Sequence, residues 1–225
     1  MRKSRFLTLI SLFSALHAIF VLIPLPFRSF MVIIQPLEGI ILGVYGGFFS
    51  ALLGSIVGRV IRPMEGLLPI FGITAEPIGA LTAALFFRKK WKYVFLIYVI
   101  LLAGYFIHPL GRILPAWCLW NTYIAFILTF VSPLFLKNFK EITNSKKLVF
   151  LLALTSFIGV EADALVRIFI LIPIGFYSLM GIPKEALTPI WIAGAIQTPL
   201  EAILSIIATV ILGVPLIKFL KEIKI

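Results

Sequence analysis

Charge is scarce in this chain. Only 13% of its 225 residues are Asp, Glu, Lys or Arg, while 61% are apolar, and the mean hydropathy is +1.14. A soluble domain carries roughly 25% charged and about 45–50% apolar residues, so a folded aqueous domain is excluded. Cysteine is nearly absent. Cys118 stands alone, which rules out an intrachain disulfide and a cysteine-built metal cluster. Histidine is limited to His17 and His108, without His-Glu-x-x-His spacing, so a zinc-protease site has no basis. The chain has no G-x-x-x-x-G-K-[ST] loop and no G-x-S-x-G elbow, and so lacks that nucleotide cradle and that nucleophile turn. No catalytic residue, cofactor or metal is expected. No internal repeat stands out, which leaves an inverted-repeat carrier without support.

Apolar stretches of about twenty residues recur along the chain, the signature of membrane spans. The net charge of +11 suggests nucleic acid at first sight, but its placement argues against that partner. Fourteen of the twenty basic residues fall in four clusters, each abutting an apolar segment: Arg2, Lys3, Arg5; Arg88, Lys89, Lys90, Lys92; Lys137, Lys140, Lys146, Lys147; and Lys218, Lys221, Lys224. This is the positive-inside pattern, and it places the clusters on the cytoplasmic side. The first apolar segment is followed by Pro24-Leu25-Pro26-Phe27-Arg28 rather than a small-residue cleavage site, so it reads as a span and not a signal peptide.

With all clusters inside, segment 6–23 runs outward. Between Arg28 outside and Arg88 inside the chain crosses an odd number of times: a short span near 31–43, a second near 46–58 and a third at 67–87. Segments 93–109 and 117–136 form one pair, 148–172 and 189–217 another. The expected fold is a single all-α domain over 1–225. It is a polytopic transmembrane bundle of six full spans plus a short Gly-rich helical hairpin, with up to eight crossings and both termini cytoplasmic. Residues 31–60 either span or re-enter.

Four features can carry chemistry. The hairpin holds a small-residue ladder, Gly39, Gly43, Gly47, Ala51 and Ser55, with Gly46, Ser50, Gly54 and Gly58 in a second register. The first span holds Ser11, Ala15 and Ser14, Ala18. Such ladders let helices approach closely, within one chain or against a partner. Second, Glu38, Glu76, Glu161, Asp163 and Glu201 fall within spans or at their edges, where an ionisable group usually faces a cavity or a partner. Asp163 and Arg167 pair at i, i+4, while Glu161 points about 200° away from Asp163. Third, Gln197, Glu201 and Ser205 form a stripe on the last span, with Thr198 adjoining. Arg167 and Glu201 either line a site or form a plain interhelix bridge. Fourth, Arg59, Arg62, Glu65, Arg112, Trp117, Trp120 and Asn121 mark the outer rim. The tryptophans belong to an aromatic belt or to a wall that stacks on a heteroaromatic ligand.

The run PLEGIILGVYGGFFSALLGSIVGR from Pro36 to Arg59, after a small-xxx-small first span, resembles the S components of energy-coupling factor (ECF) transporters. The stretch PKEALTPIWIAGAIQTPLEA from Pro183 to Ala202 is similar to that family's last helix. Segment 93–136 fits less well and reads as an added helical pair. The resemblance implies the substrate-binding membrane subunit of an ABC importer in the cell membrane. That subunit takes up a vitamin or similar small nutrient and docks on a transmembrane coupling subunit driven by two ATPases. It implies docking through Ser11 and Ala15, or Ser14 and Ala18, and a pocket in the outer half beneath the Pro24–Ser29 loop. The candidate binding residues are Arg167, Gln197, Glu201, Glu161, Asp163, Asn121, Trp117 and Trp120. Arg2 after Met1 departs from the metal-binding Met-His of the nickel and cobalt subtype. Two other classes compete: a stand-alone carrier with Glu161, Asp163 and Glu201 as proton relay, and an intramembrane enzyme.

Overall fold

A computed structural model describes residues 3–25, 28–62, 68–136 and 145–222. Glu65, Arg2, Lys137, Lys140 and Lys224 lie outside the described residues. Apolar chain that cannot reach water satisfies its backbone within helices, and among the described residues the regular elements are helical. They are α1 (Lys3–Val21), α2 (Met31–Ile61), α3 (Leu68–Phe87), α4 (Trp91–Ile107), α5 (Pro109–Ile113), α6 (Trp120–Leu136), α7 (Ser145–Leu171), α8 (Phe176–Leu179) and α9 (Lys184–Glu222). A 3-10 turn, Ala116–Leu119, precedes α6. Four stretches are long and apolar enough to cross a membrane: Met31–Ile61, Ala116–Leu136, Ser145–Leu171 and Lys184–Leu220. Shorter apolar helices accompany them at Phe6–Val21, Phe71–Phe87 and Trp91–Ile107. The chain is a helical membrane protein.

Helix α2 is not a straight rod. Gly43 interrupts it at φ 85°, ψ −170°, a conformation open essentially to glycine alone. The chain doubles back there. Ser50 donates to Glu38 across the break, and a Cβ on Gly47 would sit 2.7 Å from the Cα of Gly39. In a continuous helix residues eight apart stand on the order of 12 Å apart. The Gly-rich run is therefore a hairpin of two arms, and its tip lies against the Arg88 side chain.

Close approach recurs elsewhere. Gly54 and Gly58 on the second arm meet α1 so tightly that a Cβ would lie 2.7 Å from the Ser14 carbonyl oxygen and 2.9 Å from that of Ala18. Small residues are what allow such approach where lipid supplies no hydrophobic drive. Helix α7 is enclosed by α2, α3, α4, α6 and α9, and Tyr98 on α4 donates to the Ile158 carbonyl at 2.8 Å. Helix α9 has 39 residues and three internal prolines. At about 1.5 Å per residue it measures roughly 58 Å, about twice the hydrocarbon thickness.

Candidate functional site

A cavity of about 630 Å³ lies between the 22–30 turn, the end of α2, the start of α6, the last turns of α7 and the first half of α9. These are the ends of the helices opposite to Arg88–Lys90, Lys146, Lys147 and Lys218. The size falls within the usual range for a small-molecule site.

The turn after α1 shapes the cavity. Leu25 N–H donates to the Arg28 carbonyl at 2.7 Å, and Phe30 N–H to that of Ile23 at 2.8 Å. This pinned turn carries Arg28 into the bundle, where its side chain is 6% exposed. Arg28 Nη1 donates to Asp163 Oδ2 at 3.2 Å and Nη2 to Thr198 at 3.4 Å, while Nε stands 3.0 Å from Glu201 Oε2. That last contact is an ion pair outside hydrogen-bond geometry, so the buried Glu201 Oε2 has no hydrogen-bond partner. Its other oxygen accepts from Gln197 Nε2 at 2.6 Å.

Arg167 lies one turn beyond Asp163 along α7, toward the cavity end. It donates through Nε to Asp163 at 2.8 Å and through Nη2 to Asp163 at 3.2 Å and Glu76 at 3.4 Å. Glu76, on α3, is a hub. It accepts from both terminal nitrogens of Arg59, from Ser55 and from Ser29, and lies 3.0 Å from His17 Nε2. His17 Nδ1 lies 2.8 Å from Glu38. Four of the five buried carboxylates among the described residues (Glu38, Glu76, Asp163 and Glu201) are thus matched by three guanidiniums and one imidazole, while Glu161 has none. An isolated charge at membrane depth costs at least ~2.5–3.5 kcal/mol, which explains why these groups sit together.

The i, i+4 pair of Asp163 and Arg167 forms on one face, and Glu161 turns the other way. Glu161 accepts from Asn121 at 2.8 Å and Thr122 at 3.0 Å on α6. Arg167, Gln197, Glu201 and Asn121 line the cavity; Asp163 holds its guanidiniums from behind, and Glu161 holds Asn121. The plain Arg167–Glu201 bridge is absent among the described residues, because Arg28 stands between the two helices and takes Glu201. Trp117 and Trp120 do not line the cavity. They are 59% and 44% exposed, and Trp120 donates to the Ala195 carbonyl at 3.2 Å. The tryptophan in the wall is Trp191, fixed by a 3.0 Å hydrogen bond to Tyr105.

The first-span ladder divides between two faces. Ser11 and Ala15 are exposed, whereas Ala18 is 5% exposed against α2. Of the two registers offered for docking, Ser11 with Ala15 faces outward, whereas the Ser14 and Ala18 register is corrected at Ala18, which is packed inside. Ser14 is half-buried at the same crossing.

Sequence reasoning left Arg28, His17 and Trp191 out of the site. Arg28 had a signal, since a basic residue on the outer side runs against the positive-inside trend. Searches of protein-family models, curated proteins and solved structures give no match, so the functional reading rests on this geometry.

Proposed function

We propose that the chain is the substrate-binding membrane subunit of a nutrient importer of the ECF type, in the cell membrane. It binds a vitamin-like small molecule from the outer side and hands it to a separate coupling subunit and ATPases. The topology in this reading is six full spans plus the α2 hairpin, with both termini cytoplasmic. The observation that carries it is a largely apolar cavity of about 630 Å³ with arginines in its wall, at the end of the bundle away from the basic clusters. A chain without a nucleotide loop needs a partner to couple ATP, and the exposed small residues Ser11 and Ala15 on α1 are the contact assigned to that partner. Neither a catalytic residue nor a cofactor enters the mechanism. Arg167 and Arg28 hold the ligand, Gln197 and Glu201 orient it, and Leu22, Pro24, Leu25 and Ser29 wall it on the side of the turn.

One observation favours a second reading. The buried acids Glu38, Glu76, Asp163 and Glu201 are joined through His17, Arg167 and Arg28, and intramembrane carboxylates with a histidine are the groups a proton-coupled carrier uses, the guanidiniums holding them rather than passing protons. Reconstitution separates the two. Proteoliposomes holding the protein alone, under a proton gradient, should show no uptake of the molecule that co-purifies with it in native mass spectrometry. Proteoliposomes that also hold a coupling subunit and ATPases should show ATP-dependent uptake. Gradient-driven uptake by the lone protein would replace the first reading with the second.

A further inference from the structure

We propose that the cavity selects a water-soluble oxyanion, a carboxylate or a phosphate, carried on an apolar or aromatic body. The inference rests on the binding-subunit reading and names its substrate class.

The side chains that reach the cavity surface are unbalanced. Arg28, Arg59, Arg62 and Arg167 line it, against one carboxylate, Glu201. The other acids stand behind these arginines with their oxygens already engaged. Asp163 takes Arg28 and Arg167 on its two oxygens. Glu76 takes Arg59 on both of its own. The guanidiniums are not used up. Each carries five N–H donors. Among the described residues, Arg167 makes no hydrogen bond through Nη1 and Arg59 none through Nε. Arg62 donates through Nη1 to the Leu22 carbonyl at 2.8 Å, its one hydrogen bond among the described residues. The wall therefore holds surplus donors, most of them on guanidiniums with amide N–H groups of Asn121 and Gln197 beside them, and their natural complement is a planar or tetrahedral oxyanion bound by two or more N–H groups. A cationic ligand would meet guanidinium N–H groups rather than acceptors, since Glu201 is the one carboxylate among the lining residues and Arg28 already pairs with it.

Two further features sharpen the class. Glu201 Oε2 is buried in the wall without a hydrogen bond, so it accepts an N–H or O–H standing near the anionic group. Away from the arginines the wall is apolar, with Phe71, Leu119, Ile190 and Trp191. The ligand is then an amphiphilic acid rather than an inorganic anion.

The test uses the purified full-length protein in detergent, dialysed free of small molecules. It is mixed in turn with the anionic, cationic and neutral pools of a dialysable cell extract, and with a lipid extract. Thermal unfolding and native mass spectrometry read each mixture. The anionic pool should raise the unfolding midpoint and add bound mass. Arg62→Gln, altered at the exposed rim, should keep the unliganded midpoint and need at least tenfold more of that pool. Phosphatase treatment of the active pool distinguishes its two sources: a lost response marks a phosphate ester, a retained one a carboxylate, and both satisfy the assignment. Stabilisation by the cationic, neutral or lipid pool alone overturns the oxyanion assignment, as does an unchanged response of Arg62→Gln to the anionic pool. Bound mass from none of the water-soluble pools defeats the binding-subunit reading itself.

Discussion

Glu76 is where a single residue matters most for the integrity of the buried network. It is 1% exposed and meets His17, Ser29, Ser55, Arg59 and Arg167. Glu76→Gln keeps the shape and removes the charge, leaving the buried Arg59 without its carboxylate. Breaking a buried pair from one side costs about 3–5 kcal/mol, so this variant should unfold well below the parent in a detergent thermal melt. Glu201→Gln should lose less, because Arg28 keeps Asp163. Equal midpoints for the parent and Glu76→Gln would show that Glu76 is not the hub. The site was partly legible at this scale. Asp163 with Arg167, and Gln197 with Glu201, follow from i, i+4 spacing on helices. Arg28 sits in a turn with no period, and its partners are 135 and 173 residues away along the chain. Nothing local in the sequence ties it to them. Trp117 and Trp120 were placed by their depth alone, and depth does not say which way a side chain faces.

At the scale of the element, α1 has two faces with different work. Leu12, Leu16 and Ile19 are exposed with Ser11 and Ala15, while His17 and Ala18 are buried against α2. Ala15→Leu adds apolar volume to an outward face and should leave the melting midpoint and ligand binding unchanged, yet abolish co-purification with a coupling subunit. Ala18→Leu pushes into the crossing at Gly58 and should destabilise the isolated protein by about 1–3 kcal/mol, as overpacking does. If Ala15→Leu still co-purifies, α1 is not the docking face. The helix-to-helix spacing of small residues was legible, because a four-residue period marks a contact. Which register turns inward was not, since both ladders have the same composition. The α2 hairpin was legible for a different reason. Charge placement demanded an extra reversal between Arg28 and Arg88, and the Gly-rich run supplied the only stretch able to make it. The positive φ of Gly43 is the local device.

For the whole molecule, the separation of charge from cavity sets a direction. Lys146, Lys147 and Lys218 stand at one end, and the cavity opens among the 22–30 turn, the end of α2 and the segment preceding α9. In the proposed topology, with the basic residues on the cytoplasmic side, the cavity faces outward, which is the orientation an importer needs. Labelling of substituted cysteines tests this in intact cells. Cys118 is buried and is first replaced by alanine to remove background. Ser178, exposed in α8, and Ser145, exposed at the start of α7, lie at opposite ends of α7. An impermeant maleimide added outside should label Ser178→Cys at once and Ser145→Cys only after the membrane is permeabilised. The reverse pattern would turn the molecule over and place the arginine-lined cavity toward the cytoplasm, which no uptake subunit tolerates. Labelling of both from outside would break the span count between them, since α7 would then fail to cross.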